Sequence, residues 1–201
     1  MIKAVVFDLG KVLVDFDYGI AARALAARSR VPVEEVRHII DQSQLLVTYE
    51  MGKLATKVFY NQVCEATGFC GDIDEFGRIF GDIFTPIDEM IALHAKLRAA
   101  GVATYIFSNT NELAVAHIRK TFPFFSNFDG YIYSFEEGAM KPSAAIYEAV
   151  ERKTGQSGDG ILYIDDRLEN IDTGRQRGWS VIHHQNAAAT RKAVAAAGCS
   201  V

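Results

Sequence analysis

Asp8 closes a short apolar run, Ile2-Lys3-Ala4-Val5-Val6-Phe7, and opens the elbow Asp8-Leu9-Gly10-Lys11-Val12-Leu13. A run of that length reads as a buried strand, so the Asp8 carboxylate stands where a sheet hands its chain to a loop. A carboxylate there is placed to act as a nucleophile or a metal ligand. Three more polar segments follow strand-like runs: Ser108-Asn109-Thr110, Lys141-Pro142 and Asp165-Asp166. In an open parallel sheet the loops at the C-terminal strand ends converge on one crevice. They would bring together a carboxylate, a hydroxyl, an ammonium and a carboxylate pair. That set suits phosphoryl transfer with Mg2+: carboxylates and a backbone carbonyl hold the hard cation, while serine and lysine meet the phosphate oxygens as charge develops. Two residues after Asp8, where an acid/base partner would be most useful, the chain has only Gly10.

The elements that must position these groups are visible as alternating patterns. Besides the first run, Val102–Phe107, Gly130–Tyr133, Ile161–Ile164 and Ser180–Ile182 read as strands, and continuous apolar runs of this kind fit a parallel sheet covered by helices on both faces. A helix is expected before the second strand, with Thr85 as its cap, Pro86 in its first turn, Asp88 and Glu89 at its positive end and Gly101 as its stop. Further helices are expected near Asn111–Thr121, Ser143–Lys153, Leu168–Arg177 and Ala187–Ala197. Residues 17–83 break the alternation and look helical throughout, which predicts a cap inserted into a core made of residues 1–16 and 84–201. The fold class is therefore α/β.

Composition narrows the function classes. Hydrophobic residues make up 49% of the 201 residues and charged ones 23%, ordinary for a globular chain. A net charge of −4 gives no basic footprint for nucleic acid, and no apolar run reaches membrane-spanning length. The N-terminal run lacks the shape of a signal peptide, and three cysteines (Cys64, Cys70, Cys199) match no metal spacing, so a reducing cytoplasm is expected.

The order and content of the four segments resemble the haloacid dehalogenase superfamily, made up mostly of Mg2+-dependent phosphatases. Its hallmark is an Asp-x-Asp-x-Thr/Val loop followed by Ser/Thr, Lys and an acidic pair. The resemblance covers nearly the whole chain and implies a doubly wound, Rossmann-like sheet of strand order 5-4-1-2-3, with a small helical cap. It implies that Asp8 is the nucleophile and a metal ligand, and that the Gly10 carbonyl is a second ligand. Ser108 and Lys141 would bind the transferring phosphoryl group, with Asn109 and Lys11 as further phosphate- or substrate-binding candidates. Asp166 would hold Mg2+ directly, with Asp165 beside it.

Gly10 departs from the pattern, since the family's second Asp protonates the leaving group and then activates water. Losing a general acid/base costs about 10²–10⁴-fold in rate, so a phosphatase with an undemanding leaving group remains the expectation. The Asp-Leu-Gly-x-Val form also looks like sugar-1-phosphate phosphatases and the phosphatase domains of epoxide hydrolases, which favours a small phosphorylated metabolite such as a sugar phosphate. Gly10→Asp is expected to raise activity on ordinary alkyl phosphates. The alternatives are a catalytically weak member that binds a phosphorylated ligand or a partner protein, and a metal-independent 2-haloacid dehalogenase, against which the acidic pair argues.

Several neighbours have blander readings. Lys11 is either a solvated turn residue or a group reaching the mouth of the site. Asp15 and Asp17, where the chain enters the cap, could supply a remote acid/base but are expected instead to cap a helix near Tyr18, and Asn170 is expected to orient the acidic loop. Tyr49, Phe59 and Tyr60 are expected to form the helical segment's own core.

Overall fold

Asp8, Ser108 and Asp165 lie at or just beyond the ends of three adjacent parallel strands. The computed structural model describes residues 1–41 and 43–200. The chain begins with β1 (Ala4–Phe7) and β2 (Val14–Phe16), then passes through α1 (Tyr18–Ala26), α2 (Val33–Ile40), α3 (Gln44–Glu50), α4 (Thr56–Thr67) and α5 (Ile73–Gly81). It continues through β3 (Phe84–Pro86), α6 (Asp88–Ala99), β4 (Ala103–Ser108), α7 (Glu112–Thr121), β5 (Gly130–Tyr133) and α8 (Ser134–Glu137). The last part comprises α9 (Ala144–Thr154), β6 (Ile161–Asp165), α10 (Leu168–Gln176), β7 (Ser180–His183) and α11 (Ala187–Ala196).

The main sheet is wholly parallel, in the order β5-β4-β1-β6-β7. Counting only its own strands along the chain, and starting from the β7 edge, this is the predicted 5-4-1-2-3. Phe7 pairs with Ile106 on one side and Ile164 on the other. The strand ends are therefore level, and the Asp8 N–H carries the ladder one step further to the Ile164 carbonyl (2.8 Å).

Alternation divides the core between two faces. Val5 and Phe7 pack with Met90, Leu93, Leu97, Ile118 and Val194, while Val6 packs with Ile146, Tyr147, Val150, Tyr163 and Trp179. The helices α1–α5 share a third cluster that includes Leu25, Val36, Leu46, Tyr49, Phe59, Phe76 and Phe80. Tyr49 stacks on Phe59 with ring centroids 4.4 Å apart, and the Tyr60 hydroxyl donates to the Gly71 carbonyl at 2.8 Å. These three aromatic side chains hold the helices together.

One local expectation fails. Thr85 and Pro86 do not cap or start α6; they belong to β3, which pairs antiparallel with β2 so that Val14 faces Pro86 and Phe16 faces Phe84. The helix begins at Asp88, capped by Ile87 without a side-chain bond, and the Ile87 N–H donates to the Leu13 carbonyl at 2.9 Å. Pairing with a segment some seventy residues earlier overrides a good local cap signal, and Pro86 costs little at a strand end. Asp17 does cap α1, its carboxylate accepting from the Gly19 N–H at 2.7 Å.

Candidate active site

The register of β1, β4 and β6 gathers the four predicted segments around one buried ammonium. Lys141 Nζ lies 2.9 Å from Asp8 Oδ1 and 2.7 Å from Asp165 Oδ2. It also donates to the Phe107 carbonyl at 3.0 Å. The loop that carries it is set by Asn109, whose side-chain oxygen accepts from the Lys141 N–H (2.7 Å) and whose amide donates to the Lys141 carbonyl (3.1 Å). Asn109 lines the site, but its hydrogen-bonding groups serve the lysine backbone. Burial alone would depress the Lys141 pKa; Asp165 and Asp8 outweigh that and hold it above the usual lysine range.

The acidic groups differ from one another. Asp165 is fully engaged: Oδ1 accepts from the Arg167 N–H (2.8 Å) and from Asn170 (3.0 Å), while Oδ2 accepts from Lys141 and the Tyr163 hydroxyl. Burial works against its charge, but Lys141 and these bonds more than offset it and keep its pKa below the usual carboxylate value. Asn170 thus orients the acidic loop as its position predicts. Asp8 is the strained partner. Burial pushes its pKa up to about 8, with repulsion from Asp165 and Asp166 adding to the effect and Lys141 opposing it. Asp166 is likewise raised, by burial and then by Asp165.

Asp8, Asp165 and Asp166 each present an oxygen within 4.8 Å of the other two. Three clustered carboxylates against one ammonium leave an excess of negative charge, and the donors are all hard oxygens. The group fits a divalent cation such as Mg2+. The Gly10 carbonyl, on the same wall, accepts none of the backbone bonds that tie the elbow, which run from Lys11 N–H to Val14 O and from Leu13 N–H and Val14 N–H to Leu9 O.

A cavity of ≈ 440 Å³ opens over these groups, with Ser108 on its wall. Its other residues include Lys11, Phe16, Tyr18, Leu46, Glu50 and Asn111. Tyr49, Phe59 and Tyr60 are not among them, as expected for core residues. Lys11 has a left-handed backbone (φ 60°), and its ammonium lies 4.7 Å from the Phe16 ring centroid, paired with Asp15. It lines the cavity mouth with its charge already met, between its two sequence readings.

The vacancy at Gly10 is filled. A Cβ on Gly10 would lie 2.8 Å from Phe16 Cε1, and that ring is packed against Tyr18 and Phe84 at centroid distances of 5.8 and 6.2 Å. An aspartate could not enter without displacing Phe16. This corrects the expectation from sequence. Gly10→Asp alone will leave kcat/KM on alkyl phosphates at or below wild type. Gly10→Asp with Phe16→Ala will exceed Phe16→Ala alone, and a gain from the single variant would show that the ring yields freely.

Glu50 was not singled out from the sequence. It closes α3 and lines the cavity with Leu46 and Val47, a carboxylate on an otherwise apolar helix face. Burial raises its pKa to about 7, and the Asn111 side chain partly offsets this by favouring the charged form.

Comparison with known proteins agrees with this architecture. Residues 2–178 match the family of haloacid dehalogenase-like hydrolases. The sesquiterpene phosphatase astK of Aspergillus oryzae is 27% identical over 94% of this chain and 92% of its own. The D-ribitol-5-phosphate phosphatase of Bacteroides thetaiotaomicron is 24% identical over 96% of each chain. A haloacid dehalogenase family enzyme of Bacteroides thetaiotaomicron, solved with magnesium and inorganic phosphate, shares the fold at TM-score 0.82 and 21% identity, over 92% of this chain and 95% of its own. L-2-haloacid dehalogenase of Xanthobacter autotrophicus aligns less closely, at TM-score 0.65 and 20% identity, over all of this chain and 85% of its own. A match across residues 2–178, on a sheet of this order with the four polar segments at its strand ends, places the chain in the haloacid dehalogenase-like hydrolase family.

Proposed function

We propose that this hydrolase is a Mg2+-dependent phosphatase of a small phosphorylated metabolite, acting through a phosphoenzyme on Asp8. The observation that carries the reading is Lys141 bridging Asp8 and Asp165, beside Asp166 and beneath a cavity walled by Ser108. An Asp8 oxygen attacks phosphorus and the ester oxygen leaves; water then attacks the aspartyl-phosphate and restores the carboxylate. Lys141 and the Ser108 hydroxyl meet the phosphoryl oxygens, and Asp165 holds Lys141 in place. Asp8, Asp166 and the Gly10 carbonyl would hold Mg2+, with Asp165 beside them. When bound, the cation offsets charge on the phosphoryl oxygens and on the acidic cluster.

The cavity wall combines apolar groups (Leu46, Val47, Phe84, Met140) with polar ones (Glu50, Asn111, Arg167), so it offers contacts to either kind of leaving group. The names of the two relatives, a sesquiterpene phosphatase and a ribitol phosphate phosphatase, differ in the same way. We keep the sugar phosphate as the first substrate to try, with a prenyl phosphate beside it. The cysteines are free thiols, suited to the cytoplasm, and no described helix is long and apolar enough to cross a membrane.

A panel of phosphorylated sugars, polyols and prenyl alcohols should show phosphate release with Mg2+ and at least a hundredfold loss after chelation, about the scale of losing several kcal/mol of charge stabilisation. Release unaffected by EDTA would remove the metal from the reading. Halide release from 2-haloacids without Mg2+ would favour a dehalogenase. The filled space beside Gly10 gives the binding-only reading its one support, and saturable phosphate binding without turnover would establish it.

A further inference from the structure

We propose that Glu50, from the helical segment, is the acid/base that the Gly10 position does not supply; this deepens the phosphatase reading and rests on it. Phe16 occupies the space that an acid at residue 10 would need. For a leaving group that needs protonation, the proton then comes from elsewhere in the cavity.

The titratable groups on that wall narrow to one among the described residues. Asp8, Lys141 and Asp166 belong to the charge cluster described above. Lys11 and Arg167 are cations paired with Asp15 and Glu169. Tyr18 is held well above its usual pKa, first by burial and then by Glu50 and Asp41, so its proton is not released near neutral pH. Asp41 lies 3.4 Å from the Arg37 guanidinium. Glu50 remains, a cavity carboxyl that pairs with no cation among the described residues.

Its placement also fits. Asn111, whose side chain favours the charged form of Glu50, caps α7 at the end of the loop that begins with Ser108, and all three residues line the cavity over Asp8. A cavity of ≈ 440 Å³ suits one small ligand spanning from Asp8 to that wall. The groups that act on or answer to Glu50 are Asn111, the N-cap of α7, and Tyr18 from α1, which Asp41 also approaches. With a pKa of about 7, Glu50 divides between the two forms the reaction needs in turn.

The steps balance. Asp8 attacks phosphorus, the P–O bond to the leaving group breaks, and that oxygen takes the Glu50 proton to give the alcohol. The Glu50 carboxylate then accepts a proton from water as its oxygen attacks the aspartyl-phosphate, releasing inorganic phosphate and regenerating both carboxyl groups in their starting forms.

The test compares Glu50→Gln with wild type on an alkyl phosphate from the panel and on p-nitrophenyl phosphate, whose leaving group needs no proton. We expect kcat/KM on the alkyl ester to fall about 10²–10³-fold and the loss above pH 7 to vanish from its profile. On p-nitrophenyl phosphate kcat/KM should hold, which also shows that the variant folds. A nitrophenolate burst stoichiometric with enzyme should precede slow turnover, because hydrolysis of the phosphoenzyme has lost its base. Equal loss of kcat/KM on both esters, no loss on either, or a loss carried by KM alone would overturn the assignment while leaving the phosphatase reading standing. A wild type inert on the whole panel would overturn both.

Discussion

Asp8→Asn is expected to abolish turnover of every phosphoester, by roughly four to six orders of magnitude as for other nucleophile deletions, and to do so without unfolding the protein. The substitution keeps the shape and removes a negative charge from a cluster that has too many. The Asp8 pKa is raised to about 8 in the folded chain by burial, against an ordinary value near 3.8. A carboxyl held above its unfolded value makes the metal-free fold lose stability as pH rises through the window between those two values. The asparagine variant escapes that loss. In EDTA its melting temperature should match wild type near pH 4 and exceed it at pH 9. Measurable single-turnover phosphorylation of the variant would sink the assignment of Asp8 as nucleophile. A melting temperature that drops at pH 9 would instead show that the charge cluster is better compensated than its geometry indicates.

Lys141→Met is expected to have the opposite profile, losing activity and stability together. Its ammonium is 2% exposed and faces Asp8 and Asp165, which are 11% and 0% exposed. Removing one partner of a buried ion pair while leaving the other charged costs about 3–5 kcal/mol, a large part of the stability of an ordinary domain. Because the Lys141 pKa is raised above its unfolded value, its contribution is complete below that value and is lost only in strong alkali. Urea unfolding between pH 6 and 8 should therefore show the full deficit. A variant as stable as wild type would mean that Asp165 takes up a proton at little cost. The contrast with Asp8→Asn would separate a residue proposed to perform chemistry at the expense of the fold from one proposed to serve both.

The parts of the molecule set by local pattern were legible in the sequence. The five strands of the sheet declared themselves as apolar runs, and each polar segment follows its predicted strand or loop because parallel register needs only level strand ends. Asp17, Asn170 and Lys141 were also within reach, since short spacings and the family motifs fix their positions. What the sequence hid depends on distant pairings. Thr85 and Pro86 carry the local chemistry of a helix start, yet they pair with Asp15 and Val14. The Phe16 ring beside Gly10 follows from that same pairing, so the single-residue gap looked open when it was not. Glu50 was invisible for a related reason. Its significance comes from lining the same cavity as Asp8, Ser108 and Asn111, a relation that comes from the fold and not from chain spacing.

The two-stranded ribbon of β2 and β3 leads the chain out of the parallel sheet and back again. Two tethers bonded side by side resist sliding and twisting, which leaves bending as the soft motion of the five helices above the sheet. Phe16 is part of one tether and Glu50 rides on the helices. A single flexure would thus alter the room beside Gly10 and the reach of Glu50 together, so that steric access and proton supply vary as one mechanical coordinate.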